Sequence, residues 1–198
     1  MCSCLAHRYS QHTTPMQFTS SVIASWTPDA VALSAGLLVA RLVFGLSMSA
    51  HGAQKLFGWF GGYGLAATSP FFEQLGFRPG RLFAAVASIT ELVGGILIAL
   101  GLFGPVGPAM MLSVMIVAAI TVHWKSGFFA ASNGIELTLL YGAAAVGLAL
   151  TGPGLFSLDA LFGLEALWSP TLAAVALAIG IVGGIGNLAA RRPLPAAV

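Results

Sequence analysis

Apolar residues run through this chain in five stretches, roughly 29–57, 81–103, 105–124, 135–151 and 169–190, parted by short segments where polar residues, glycine and proline gather. A helix needs about 20 apolar residues to cross a bilayer, so the pattern predicts an all-α, polytopic transmembrane bundle. Thr27-Pro28 reads as the N-cap and first position of the first helix. Gly104-Pro105 parts the second helix from the third in a tight hairpin. The fourth stretch is short but bounded by Glu136 and by Gly152-Pro153-Gly154. The fifth starts near Pro170 and stops at Arg191-Arg192-Pro193.

Two linkers carry a pattern of their own. Aromatics alternate with glycine in Leu56-Phe57-Gly58-Trp59-Phe60-Gly61-Gly62-Tyr63-Gly64, and tryptophan and tyrosine favour the headgroup level. Ser69-Pro70 is expected to cap a short helix over 71–75. Ser157 is expected to cap an amphipathic stretch over 157–168 with Leu158, Leu161, Phe162 and Leu164 on its apolar part. Both read as helices lying in the interface.

Composition sharpens the membrane reading. The chain is 58% hydrophobic with a mean hydropathy of +0.93, and only 14 of 198 residues are charged, against about 25% in soluble domains. A net charge of +2 without a basic, aromatic-interleaved stripe gives nucleic acid no footprint. Lys55, Arg78, Arg81, Lys125, Arg191 and Arg192 fall on one side of a five-span topology and Arg8 alone on the other. That bias predicts an N-terminus outside and a C-terminus inside a bacterial cytoplasmic (inner) membrane. Residues 1–27 are polar, carry both cysteines (Cys2, Cys4) and no apolar signal core, and read as a disordered extension, with Met16 as an alternative start.

The informative residues are the ionisable ones placed where charge costs most. A charge at the bilayer centre costs at least ~2.5–3.5 kcal/mol. Arg41 lies ten residues past Val31 and Glu91 ten past Arg81, so each is expected about 15 Å deep on neighbouring antiparallel helices. Opposite charges at one depth are expected to pair. The alternative is a clamp that fixes helix register and does no chemistry. His51 and Lys55 share a helix face at i, i+4, and His123 and Glu136 fall at the same level. Together they would form a polar mouth under the aromatic loop, suited to a quinone head group or a proton relay. The bland alternative is an interfacial rim, which suits His123 and Lys125 better than His51 and Glu136. Haem between His51 and His123, or a metal between those histidines and Glu136, has no further support in the chain. Asp159, two residues after Ser157, reads as a helix N-terminal anion.

At these residues the chain resembles the DoxX family of membrane proteins. The first helix reads Arg41…His51-Gly52-Ala-Gln54-Lys55-Leu-Phe-Gly58-Trp-Phe-Gly61-Gly62, and the second has Glu91-Leu-Val-Gly94-Gly95 before Leu100-Gly101-Leu102. The fourth opens with Asn133-Gly134-Ile135-Glu136, followed by Gly152-Pro153-Gly154 and Ser157-Leu158-Asp159. The resemblance spans about residues 35–160. It implies a four-helix membrane domain over 28–160, to which this chain adds a fifth helix within 161–190 and a short tail, 191–198. It further implies loose association with quinone-linked or with sulfur and oxidative-stress redox systems, as a small subunit beside a soluble or membrane redox partner. A small-solute transporter, a non-catalytic scaffold and a homo-oligomer stay open.

Overall fold

The computed structural model describes residues 27–192. The expectations for residues 1–26, with Cys2, Cys4, Arg8 and Met16, and for 193–198 lie outside the described residues. Every described element is helical: α1 Pro28–Phe57, α2 Gly64–Gln74, α3 Gly80–Leu100, α4 Val106–Ala118, α5 Glu136–Thr151, α6 Leu158–Phe162 and α7 Pro170–Ala189, with short 3-10 turns between them. A π turn over Ala119–His123 and a 3-10 turn over Trp124–Ser126 prolong α4. Four of these helices are long and apolar enough to cross a membrane, and the 16-residue α5 is a shorter apolar helix. The chain is a multi-pass membrane bundle.

The helix starts follow their side chains. The Ala30 N–H donates to Thr27 Oγ1 at 3.2 Å with Pro28 next in line, the expected cap of α1. Gly58 closes α1 in the left-handed region (φ 78), where a residue with a Cβ would be strained. The expected cap at Ser69-Pro70 does not form. α2 begins five residues earlier, at Gly64, and Pro70 lies inside it. Pro70 cannot donate to the Ala66 carbonyl, and nearby Thr68 and Ser69 return their hydroxyls to the Gly64 and Leu65 carbonyls at 2.8 and 2.6 Å. Ser157 does cap α6, accepting from Ala160 N at 3.1 Å, but Gly163 ends that helix after five residues and the rest continues as a 3-10 turn, Glu165–Leu167.

The α1–α3 contact organises the bundle. A Cβ on Gly45 would lie 2.6 Å from Gly95 O and Ala99 N, and one on Gly52 would lie 2.5 Å from Leu92 N. The two backbones therefore touch directly, as small residues permit, and Ser49 Oγ adds a 3.2 Å bond to Leu92 O. This contact fixes the register: Gly52 lies level with Ser88–Leu92, and Gly45 with Gly95–Ala99. Met48, Ile98, Met111, Met115, Leu148 and Leu177 fill the space between helices. The C-terminal α7, appended in sequence, packs on α4 and α5, its Gly180 and Gly184 seated against the Ala109 and Ser113 carbonyls.

That register overturns one expectation. Arg41 does not meet Glu91. Its level partner on α3 is Gly101, where an added Cβ would lie 1.6 Å from Arg41 Nη1. Glu91 lies ten residues back along α3, about 15 Å away along the axis. Counting depth from Val31 misplaced Arg41 because α1 is 30 residues long and overshoots the 21-residue α3 at this end.

Arg41 instead serves a clamp at the end of the bundle. It is buried, its Nη2 donates to the Phe156 carbonyl, its Nε and Nη1 have no hydrogen-bond partner, and Asp159 is the nearby opposite charge. Asp159, fully buried, accepts from Phe103 N at 2.9 Å and Gly104 N at 2.6 Å, and its own N–H donates to Gly101 O at 3.0 Å. Leu155 N reaches Ser34 Oγ at 3.1 Å. The guanidinium and the carboxylate together bind the 152–159 segment to the α3–α4 turn. So the Ser-x-Asp pattern is a loop clasp, and Asp159 does more than favour its own short helix.

Two outcomes follow for thermal unfolding in detergent. Gly52→Ala should destabilise by about 1–3 kcal/mol through overpacking, whereas Gly36→Ala, with nothing within 4 Å of the added carbon, should leave the melting temperature unchanged or slightly raised. Asp159→Ala should cost about 3–5 kcal/mol, since it leaves a buried guanidinium without its counter-charge.

Candidate functional site

Glu91 sits midway along α3 and is 2% exposed. A lone carboxylate there would be very costly. Its partner is Lys55, three residues beyond Gly52 and so on the stripe of α1 that meets α3. Lys55 Nζ and Glu91 Oε1 form a short hydrogen-bonded ion pair, the one salt bridge among the described residues. Lys55 thus points its ammonium into the bundle toward Glu91. Glu91 Oε2 is buried and has no hydrogen-bond partner.

That pair borders a cavity of about 560 Å³. The size is within the range of small-molecule sites. α2 forms one wall with Ala67, Phe71 and Phe72, α3 another with Phe83, Val86 and Ala87, and α4 a third with Val114, Val117 and Ala118. Apolar carbon dominates the lining, and the polar groups are few: the ion pair, threonine hydroxyls, His123 and Asn187 among them.

The expected polar mouth divides. His123 belongs to the cavity, carried there by the π turn, which adds a residue to the helical turn and re-aims the side chains after it. Its Nδ1 lies 2.8 Å from the Asn133 carbonyl; a carbonyl only accepts, so Nδ1 carries a proton, and when the ring is neutral Nε2 is an acceptor. His51 is exposed on another face of α1, edge-on to Tyr141 with ring centroids 6.5 Å apart. Although i, i+4 from Lys55, it lies on the flank toward α5. Glu136 accepts from Ala130 N at 2.7 Å and so holds the 127–135 loop at the start of α5. Neither His51 nor Glu136 lines the cavity, which reverses the sequence preference between them and His123. No group of three His, Cys, Asp or Glu side chains gathers among the described residues.

The aromatic glycine loop lies beside this site. Gln54 Nε2 donates to Phe60 O at 3.1 Å. Gly58 and Gly61 take positive φ, and Gly62 lies so close to Gln54 that a Cβ would fall 2.4 Å from its carbonyl. Tyr63, at the loop's end, reaches the cavity rim. Gly152 turns the chain out of α5 near the opposite end, next to the Arg41–Asp159 clasp. Sequence reasoning missed Thr68, Thr90, Thr121 and Asn187. For Asn187 there was a signal: an amide inside an apolar stretch is expensive unless something needs it.

The sequence model of the DoxX family matches residues 36–124, from α1 through the π turn, and so includes Lys55, Glu91 and His123. A Bacillus subtilis (strain 168) protein named "Putative oxidoreductase CatD" is 32% identical over 124 residues, covering 63% of this chain and 84% of that protein. No solved structure matches the chain. A Glu91-centred helical bundle, the family match across α1, α3 and α4, and a relative spanned over most of its length together make this chain a member of the DoxX family.

Proposed function

We propose that this protein is the membrane component of a redox system and that its cavity receives a quinone head group. The observation that carries the reading is the Lys55–Glu91 ion pair bordering an otherwise apolar space of about 560 Å³, with one carboxylate oxygen left unpaired. A quinone is an apolar ring with two polar oxygens, and such a cavity offers it matching surface and a few convergent polar groups. The name of the Bacillus subtilis relative, an oxidoreductase, agrees with that chemistry. His123, an imidazole at the cavity wall whose two nitrogens can each carry a proton, is suited to passing protons between the site and the bundle end.

Location in a bacterial cytoplasmic membrane, with the cavity end inside, is part of the same proposal. Lys55, Arg78, Arg81, Lys125, Arg191 and Arg192 all belong to helix ends or turns at one end of the bundle. Arg191 Nε and Arg192 N there bind the Leu75 and Gly76 carbonyls behind α2. Positive residues accumulate on the cytoplasmic side.

Protein purified in mild detergent from its own membrane should carry quinone in its lipid extract, measurable by mass spectrometry. Lys55→Met should destabilise the fold by about 3–5 kcal/mol, by stranding Glu91. Lys55→Met combined with Glu91→Leu should recover stability yet retain little quinone; full retention in that double variant would make the pair a packing device and defeat the reading. For orientation, green fluorescent protein fused to the C-terminus should fluoresce, and alkaline phosphatase fused there should be inactive.

A further inference from the structure

The hydrogen-bonding polarity of the cavity points to one oxidation state of its ligand. Thr68, Thr90 and Thr121 each donate their hydroxyl proton to a carbonyl one turn back on their own helix, at 2.8 Å in every case. Each hydroxyl therefore presents only lone pairs to a ligand. Asn187 spends one amide hydrogen on Gly183 O at 2.9 Å and keeps its second hydrogen and its carbonyl oxygen, a neutral His123 offers Nε2 as an acceptor, and Glu91 Oε2 is a buried acceptor without a partner. The groups still able to donate are fewer. They are the second Asn187 amide hydrogen, the Lys55 ammonium, already bonded to Glu91 Oε1, Tyr63 at the open rim (86% exposed), and the Ser113 hydroxyl, which can serve either way. The interior is rich in acceptors and poor in donors.

From this we infer that the site selects the reduced, hydroxyl-bearing form of its ligand, a hydroquinone, over the quinone. This rests on the proposed function above. A quinone presents two carbonyl acceptors to a lining where acceptors predominate, and it has no hydrogen to give Glu91 Oε2, which stays unpaired. A hydroquinone presents two donors, and each bond to a buried, charged acceptor is among the stronger ones available. A cation would supply donors as well, but the Lys55–Glu91 pair is neutral as a whole and gives no surplus negative charge to hold one in a low-dielectric site.

The test uses the full chain in lipid nanodiscs, titrated calorimetrically under anaerobic conditions with a short-chain benzoquinone and separately with its hydroquinone. The hydroquinone should bind at least about tenfold more tightly. Glu91→Gln, which exchanges an acceptor for a donor, should bring that ratio to unity or below. If that variant fails to fold, His123→Phe, which removes a different acceptor and leaves the ion pair intact, should lower the ratio. Equal affinities, or tighter quinone binding, would overturn the inference and leave the quinone-site reading standing. A preference that neither substitution changes would overturn it too, by placing the selecting groups elsewhere. If neither compound binds, the proposed function itself falls and this inference falls with it.

Discussion

A carboxylate halfway along an apolar helix has to be neutralised from within the protein, and in this bundle that requirement governs the rest. Lys55 can reach Glu91 only because α1 and α3 lie backbone to backbone at Gly45, Gly52 and Gly95. Side chains at those positions would push the helices apart and leave each charge to hydrocarbon. The small residues and the ion pair are thus two parts of one constraint, the first setting distance and register, the second requiring both. The cavity is a consequence: where α2, α3 and α4 diverge beyond the close contact, apolar space remains next to the pair.

The bundle keeps its two buried charge centres apart. Arg41 and Lys55 are separated by fourteen residues of α1, about 21 Å along the axis. Arg41 donates to the Phe156 carbonyl, and nearby Asp159 accepts from Phe103 N and Gly104 N, so the two tie the 152–159 segment to α1 and to the α3–α4 turn at one end. Glu91 is left with an open oxygen beside empty space. Both centres keep buried polar atoms without a partner, Arg41 Nε and Nη1 in the first and Glu91 Oε2 in the second, but Glu91 alone borders the cavity of about 560 Å³.

Much of this was legible in the sequence. Hydropathy located every long helix to within a few residues, and Thr27 and Ser157 announced their caps. The importance of Arg41, Lys55 and Glu91 was legible too, since charge in apolar stretches is hard to explain otherwise. Their pairing was not. Depth counted from the first apolar residue assumes that helices begin level, and α1 overshoots α3 by several turns. The glycines at 45, 52 and 95 hold the true register, but only once the contact between them is known. The π turn that carries His123 inward leaves no mark in a single sequence, because hydropathy does not distinguish one extra residue per turn. α2 was drawn too short for a plainer reason: Ser69-Pro70 looks like a helix start, while the hydroxyls of Thr68 and Ser69 turn back to carbonyls of a helix already under way.

The cavity wall draws on helices inside and outside the stretch that the family model matches. The family match ends at residue 124, so Lys55, Glu91, His123 and the faces of α2, α3 and α4 fall within the shared region. α7 falls outside it, yet supplies Asn187 to the same cavity and fastens its C-terminal end behind α2 through Arg191 and Arg192. A helix that only thickened the bundle would need no amide in its apolar run and no tie to the segment that walls the cavity. The C-terminal helix adds the Asn187 amide to the cavity lining and fastens its own end to the turn after α2. What the shared helices establish is where the charge pair sits; what α7 adds is how the space beside it is bounded.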